Sequence, residues 1–255
     1  MAKTNVVEFI KWALPHSNNK IQGTYPIPYS DIATDPWGYM FGTTGQICTQ
    51  QLINSKRKIP NYQKWSDASY KTATARWLGK RVLDCQGLAD YFCNVNINAK
   101  GNYANWCGAK SDDIKTIPLE IGIAVFHGDK PSSIHHVGFI CGFDENNRPL
   151  IIEARGTNYG VVITKFDERG WDFWGRMDKM FDYKTVEITY PRQMIISTKA
   201  SPLNLRNNPN GGAVIAKMKK DAPVWAIEEK NGWVNCVYFE NGQYAQGWAA
   251  KEYLK

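Results

Sequence analysis

The chain has 255 residues and 43% hydrophobic content, enough for one sizeable core and a small second one, since domains usually run about 100–200 residues. Its 31 Lys and Arg against 24 Asp and Glu leave +7, which favours an anionic partner. Eight basic and five acidic side chains from Thr198 onward put +3 of that in the last quarter, and no basic run is interleaved with aromatics, so a nucleic-acid groove is not expected. Six cysteines (48, 85, 93, 107, 141 and 236) show neither Cys-x-x-Cys pairs nor framework spacing and read as reduced thiols without a metal. The first residues lack the apolar stretch of a signal peptide, and no run approaches the ~18 apolar residues of a membrane span. The expectation is synthesis in the cytoplasm, no membrane insertion, and release by another route if the target lies outside.

Val6, Phe9, Ile10, Ala13 and Leu14 recur at helical spacing behind Thr4 or Asn5 as a cap, and Pro15 stops the run, so the chain opens on an amphipathic helix. Residues 16–65, broken by Pro26, Pro28, Pro36 and Pro60, read as loops around short helical turns. A second helix is expected over about 66–80, and a third from Asp84, where Leu88, Tyr91, Phe92 and Val95 make one buried stripe. After Pro118 the period becomes strand-like: residues 121–126, 136–141, 150–154 and 161–166 are β-branched runs separated by turn clusters. Helices followed by consecutive strands mean α+β with an antiparallel sheet. From about Ile195, short strands separated by Asn-Gly and Asn-Pro turns predict a small β-barrel, with the boundary near Tyr190 and Pro191. The domains are therefore 1–190 and 195–255.

Asp84-Cys85-Gln86-Gly87-Leu88 puts Cys85 at the first position of a helix capped by Asp84. Unpaired N–H groups and the macrodipole there favour thiolate, as a nucleophile requires. The other five cysteines read as small buried hydrophobes. A thiolate needs a base, and four histidines are available. His16 and His127 read as surface residues. His135 and His136 enter a strand side by side and point to opposite faces; His136 shares its face with Gly138, which leaves space beside it, and is favoured over His135, with an inert histidine pair as the alternative. Glu153 is the single charge in an otherwise apolar strand, suited either to orient an imidazole or to face solvent. Neither His-x-x-x-His nor a similar zinc pattern is present, so no cofactor is expected.

The residues around Cys85 resemble the Asp-Cys-Ser-Gly-Leu signature of the NlpC-type cell-wall cysteine peptidases. His136-Val137-Gly138-Phe139 resembles their His-Val-Gly-Ile strand, and Gly38-Tyr39 through Gly42-Thr43-Thr44-Gly45 is similar to their Pro-Tyr-x-x-Gly-Gly segment. The likeness runs over about 37–176. It implies a papain-like α+β fold, Cys85 as nucleophile, His136 as base, Glu153 as the third polar residue, and Tyr39 flanking the substrate. Gln86 stands where the family has Ser, Glu153 where His, Asn or Gln is commoner, and some forty residues are inserted between Gly45 and Asp84, as in phage and prophage members, which would narrow the cleft. Ser201 through Arg206, Trp233, Trp248 and Tyr253 are similar to bacterial SH3-like wall-binding domains, the two tryptophans being expected to fill the barrel. The implied function is a bacteriolytic thiol hydrolase of peptidoglycan, a γ-D-glutamyl-diamino-acid endopeptidase acting as an endolysin. The alternatives are an N-acetylmuramoyl-L-alanine amidase and a non-catalytic wall-binding protein on a hydrolase scaffold.

Overall fold

A computed structural model describes residues 3–25, 32–183, 192–240 and 242–255. The chain divides into two units, Met1–Tyr183 and Lys184–Lys255; the boundary expected near Tyr190 and Pro191 lies outside the described residues. The first unit opens with β1 (Thr4–Asn5) and helix α1 (Val6–Ala13). The Asn5 side chain accepts from Val7 N at 2.8 Å and satisfies one orphan donor of the first turn. Phe9, on the apolar face of α1, is wholly buried. It meets Phe139 edge-on at 5.0 Å and stacks on Phe181 at 4.9 Å, which fixes the helix on the sheet behind it.

A three-stranded sheet follows, β2 (Gly38–Tyr39), β3 (Thr44–Ile47) and β4 (Arg81–Leu83) in the order β2-β4-β3. The inserted segment between β3 and β4 folds into α2 (Gln50–Lys56), α3 (Pro60–Gln63) and α4 (Asp67–Ala75). It has a core of its own around Met40, Ile53, Tyr62, Tyr70 and Trp77. After α5 (Gly87–Cys93), a six-stranded sheet collects β5 (Lys110–Ser111), β6 (Ala124–His127), β7 (His136–Phe143), β8 (Pro149–Gly156), β9 (Gly160–Lys165) and β10 (Phe173–Gly175) in the order β5-β10-β6-β7-β8-β9. Residues 136–143 are buried throughout, as expected of a central strand covered on both faces. β11 (Phe181–Asp182) pairs in parallel with β1.

The second unit is a six-stranded antiparallel sheet of β12 (Arg192–Ile195), β13 (Leu203–Arg206), β14 (Val214–Met218), β15 (Pro223–Lys230), β16 (Trp233–Glu240) and β17 (Gln243–Ala250), ordered β12-β15-β16-β17-β13-β14. Val234, Cys236 and Tyr238 alternate inward along β16, with Leu205, Met218 and Ala249 beside them. Trp233 and Trp248 do not fill this core: both fall at the half-buried positions of that alternation, on the outer face.

The expected fold class is corrected by this arrangement. Among the described residues strand outweighs helix, 35% against 24%, in four sheets, so the chain is mostly β, and neither the papain-like α+β architecture nor a closed SH3-like barrel describes what they form. The helices are shorter than their apolar stripes suggested. α4 ends at Ala75, and α5 ends at Asn94, whose φ of 52° places it in the left-handed region, a common helix stop for asparagine. Gly38–Tyr39 and Thr44–Ile47, read as loop, pair as strands around β4. In the second unit β12 and β14 remain as the two edges of an open sheet. Phe9→Ala is expected to destabilise the first unit by about 3–5 kcal/mol through a cavity under α1; urea unfolding followed by tryptophan fluorescence measures it.

Candidate functional site

The turn from β4 into α5 carries Cys85. Asp84 Oδ1 accepts from Gly87 N at 2.8 Å, three residues on, and its Oδ2 accepts from Gly42 N at 3.0 Å. One carboxylate thus caps the helical turn and ties it to the segment after Tyr39. Regular helix begins at Gly87, so Cys85 lies in the capping turn ahead of α5. A Cβ on Gly87 would stand 2.6 Å from the Thr43 carbonyl oxygen; the close approach that glycine permits here is to this protein's own backbone. Gln86 is buried, donating to Asp90 Oδ1 at 2.8 Å and accepting from Asn102 Nδ2 at 2.9 Å. It anchors the far side of the turn, a role that serine would be too short to fill.

Cys85 is buried, with its sulfur 3.8 Å from the His135 carbonyl oxygen, to which the thiol donates. The thiolate expected at a helix start is not the resting form. Burial first, then the Asp84 charge, push the thiol up to about 12, against the N–H groups of Val137, Gln86 and Cys85 itself. Tyr39 pairs with Leu83 across β2 and β4. Its phenol is raised well above the usual range by burial, then by the Cys85 and Asp84 charges.

His136 opens β7 and is buried, whereas His135 is exposed with Nδ1 3.1 Å from the Ser133 carbonyl oxygen. His136 Nε2 lies 2.6 Å from Glu153 Oε2. Phe139 opposes Ile152 across β7 and β8, and one more step of that register sets Glu153 beside Gly138, diagonal to His136 on the same face. Glu153 is fully buried, and Thr164 Oγ1 donates to its Oε1 at 2.7 Å while Arg169 Nε stands 3.2 Å away. Burial alone would raise this carboxyl; the His136 hydrogen bond and charge, the Thr164 bond and the Arg169 charge outweigh it and hold it below its ordinary range. Glu153 is therefore an anion engaged at both oxygens, and it commits Nε2 of His136, leaving Nδ1 for proton exchange.

The space expected beside Gly138 is filled: a Cβ there would lie 2.5 Å from Ile151 Cγ2 and 3.1 Å from the Trp171 ring. Trp171 lies nearly parallel to His136, 5.7 Å between ring centroids, and closer to His127 at 4.3 Å. His127 is not the surface residue expected from its turn, nor is His16, which is buried and stacked on Trp37 at 3.9 Å. The signal for His127 lay in the strand ahead of it: once β6 and β7 pair, His127 falls opposite His136.

The structure thus joins His136 to Glu153, sets Cys85 against the main chain on either side of His136, and pairs Tyr39 with Leu83 on the strand that leads into Cys85. Among the described residues no group of three or more His, Cys, Asp or Glu is placed to hold a metal ion, and no helix is long and apolar enough to cross a membrane.

No family model matches the chain, and no curated protein does. Among solved structures, the crystal structure of Ly7917 is 19% identical over 66% of this chain and 82% of its own, with a TM-score of 0.26. That of Ly7917 with the hydrolyzing product of MDP is 17% identical over 66% and 83%, also at 0.26. At that score the likeness assigns neither fold nor function.

Because the resting Cys85 is a thiol, iodoacetamide should label it at neutral pH more slowly than a free cysteine, with a rate that keeps climbing beyond the pH range where an ordinary thiol levels off. Peptide mapping of the labelled protein reads the rate at this one residue. A fast rate that stays flat down to about pH 6 would mean a preformed thiolate–imidazolium pair instead.

Proposed function

We propose that the first unit is a cysteine hydrolase of the NlpC type that cleaves an amide bond in the peptide part of bacterial peptidoglycan, and that the second unit holds it on the wall. The observation that carries this reading is the buried His136–Glu153 pair at the strand whose backbone contacts the Cys85 sulfur, in a chain that also has the three motifs around Tyr39, Cys85 and His136.

The chemistry starts from a thiol. As the sulfur attacks the substrate carbonyl carbon, its proton passes to His136 Nδ1, and Glu153 stabilises the imidazolium through Nε2. The imidazolium then protonates the departing amine as the C–N bond breaks, leaving an acyl-thioester on Cys85. Water attacks the thioester, its proton passes through His136 back to sulfur, and the acid product leaves. The Cys85 N–H at the helix entrance is suited to meet the developing oxyanion. Tyr39, on the strand paired with the one that leads into Cys85, flanks the substrate.

Within the class, a γ-D-glutamyl-diamino-acid endopeptidase acting as an endolysin is the first reading, and a muramoyl-L-alanine amidase the second. The outer face with half-buried Trp233 and Trp248 offers the second unit an aromatic surface for a carbohydrate or peptide strand. Purified protein should clear wall suspensions; Cys85→Ala should abolish clearing while the protein still sediments with the walls, and His136→Ala should slow it by about 10²–10⁴-fold. Mass spectrometry of the released fragments identifies the bond. Clearing by Cys85→Ala at the wild-type rate would overturn the nucleophile, and wall binding without any turnover by the wild type would favour the non-catalytic alternative.

A further inference from the structure

His127 and His136 face each other across β6 and β7. Their rings are 5.8 Å apart and inclined by only 21°, and each lies nearly parallel to Trp171, at 14° for His127 and 10° for His136. His127 Nδ1 is 3.5 Å from Asp172 Oδ2. That carboxylate is itself held by Gly128 N at 3.0 Å, and Asp172 N donates to the Phe126 carbonyl at 3.0 Å, so Asp172 clips the end of β6 to the segment carrying Trp171. The Arg169 guanidinium sits over Trp171 at 5.8 Å and pairs with Glu153 on its other side. The charged groups acting on His127 are therefore His136 from the facing strand and Arg169 and Asp172 from the segment packed against both, with Glu153 behind His136.

This cluster matters for the proton step. His136 must become positive when it takes the proton of Cys85. A second positive charge one strand away, within a partly buried stack, opposes that transfer. Arg169 cannot be that variable charge, being always protonated and already matched to Glu153. His127 can gain or lose its proton, with Asp172 drawing the proton on and His136 and Arg169 keeping it off.

We propose that His127 is a positioning residue for the His136 base: with Asp172 it fixes Trp171 against the His136 ring, and the two histidines share a single proton, so that a proton on His127 shuts down transfer from Cys85. The inference rests on the Cys85–His136 chemistry proposed above. Burial, then the His136 and Arg169 charges, lower His127 below the ordinary histidine range against the pull of Asp172, so the inhibitory proton binds only on acidification. Activity is then lost on the acid side through two histidines rather than one.

The test compares wild type, His127→Gln and Asp172→Asn, using two readouts across pH: wall clearing and the rate at which p-nitrophenyl acetate acylates Cys85, a reaction that needs His136 as base but no wall substrate. Removing the second proton site, or the carboxylate that favours it, should move the acid midpoint of both readouts to lower pH by up to about 0.3 of a unit, the shift for two sites of equal affinity sharing one proton. A merely structural role would lower the plateau and leave the midpoint where it is. Thermal unfolding identifies a variant that fails to fold, and the other variant then carries the test. An unchanged or raised midpoint in a folded variant overturns the proposal. If wild type turns over no wall at any pH while the acylation midpoint shifts as expected, the hydrolase reading falls and the coupling of the two histidines stands. If turnover is normal and dependent on Cys85 but neither midpoint moves, the role of His127 falls alone.

Discussion

The hydrogen bond from His136 to Glu153, 2.6 Å long with the carboxylate fully out of water, constrains the rest of the first unit. A carboxylate in that position is tolerated only if its oxygens are occupied, because an uncompensated buried charge costs several kcal/mol. His136 takes one oxygen, and Thr164 and Arg169 share the other. These partners come from β7, from β9 and from the segment before β10, so the carboxylate is satisfied only when β7, β8 and β9 stand in register and the chain returns along β6. The antiparallel order β6-β7-β8-β9 is thus both the frame of the sheet and the condition for Glu153 to remain ionised.

On the other side of the site two effects oppose each other at one sulfur. Backbone N–H groups at the entrance to α5 favour a thiolate, and burial beside Asp84 disfavours it; burial and the acidic neighbour prevail. Asp84 cannot be removed from this balance without loosening the turn, since its two oxygens hold Gly87 and Gly42 together. The same residue that makes the capping turn therefore keeps the Cys85 sulfur in its proton-bound form. In the proposed chemistry the demand then falls on His136, whose imidazole is backed by an ionised partner.

Much of this was legible in the sequence, and the rest was hidden for identifiable reasons. The i, i+3, i+4 spacing of Val6, Phe9 and Ile10 and the stop at Pro15 located α1, because helical periodicity is a local property. The four β-branched runs located β6 to β9 to within a few residues. The balance of strand to helix was not legible: stripes such as Leu88 to Val95 continue past Asn94, where a left-handed residue ends α5, and two- to four-residue strands such as Gly38–Tyr39 have no period long enough to read. Barrel closure depends on which edges meet, and no short-range pattern encodes that. At the site, parity along β7 separated His136 from His135, and the isolated charge of Glu153 marked its strand. His127 was missed because its place opposite His136 comes from the pairing of β6 with β7, a contact between separate segments, and the lowered pKa expected of Cys85 failed because burial is a tertiary property.

The insertion between β3 and β4 takes a different place from the one its length suggests. Tyr39 and Cys85 belong to the small sheet and its following turn, whereas His136 and Glu153 belong to the large sheet, so the site exists only where the two are held together. Tyr62 of α3 accepts from Phe41 N at 3.0 Å and bonds Thr157 Oγ1 at 2.7 Å, and Trp77 donates to the Thr157 carbonyl oxygen at 2.7 Å. Lys56 at the end of α2 donates to the Gly42 carbonyl oxygen at 2.6 Å. The insertion thus grips the segment beyond Tyr39 with one part of its surface and the turn between β8 and β9 with another. Val161 N, donating to the Trp37 carbonyl oxygen at 3.1 Å, adds a direct strut between the sheets. The proposed hydrolysis would need such bracing across the two sheets, since a misplacement of about 1 Å in reacting groups is enough to cost roughly 10²-fold in rate. The inserted helices supply it through buried tyrosine and tryptophan side chains whose polar ends all find backbone or hydroxyl partners.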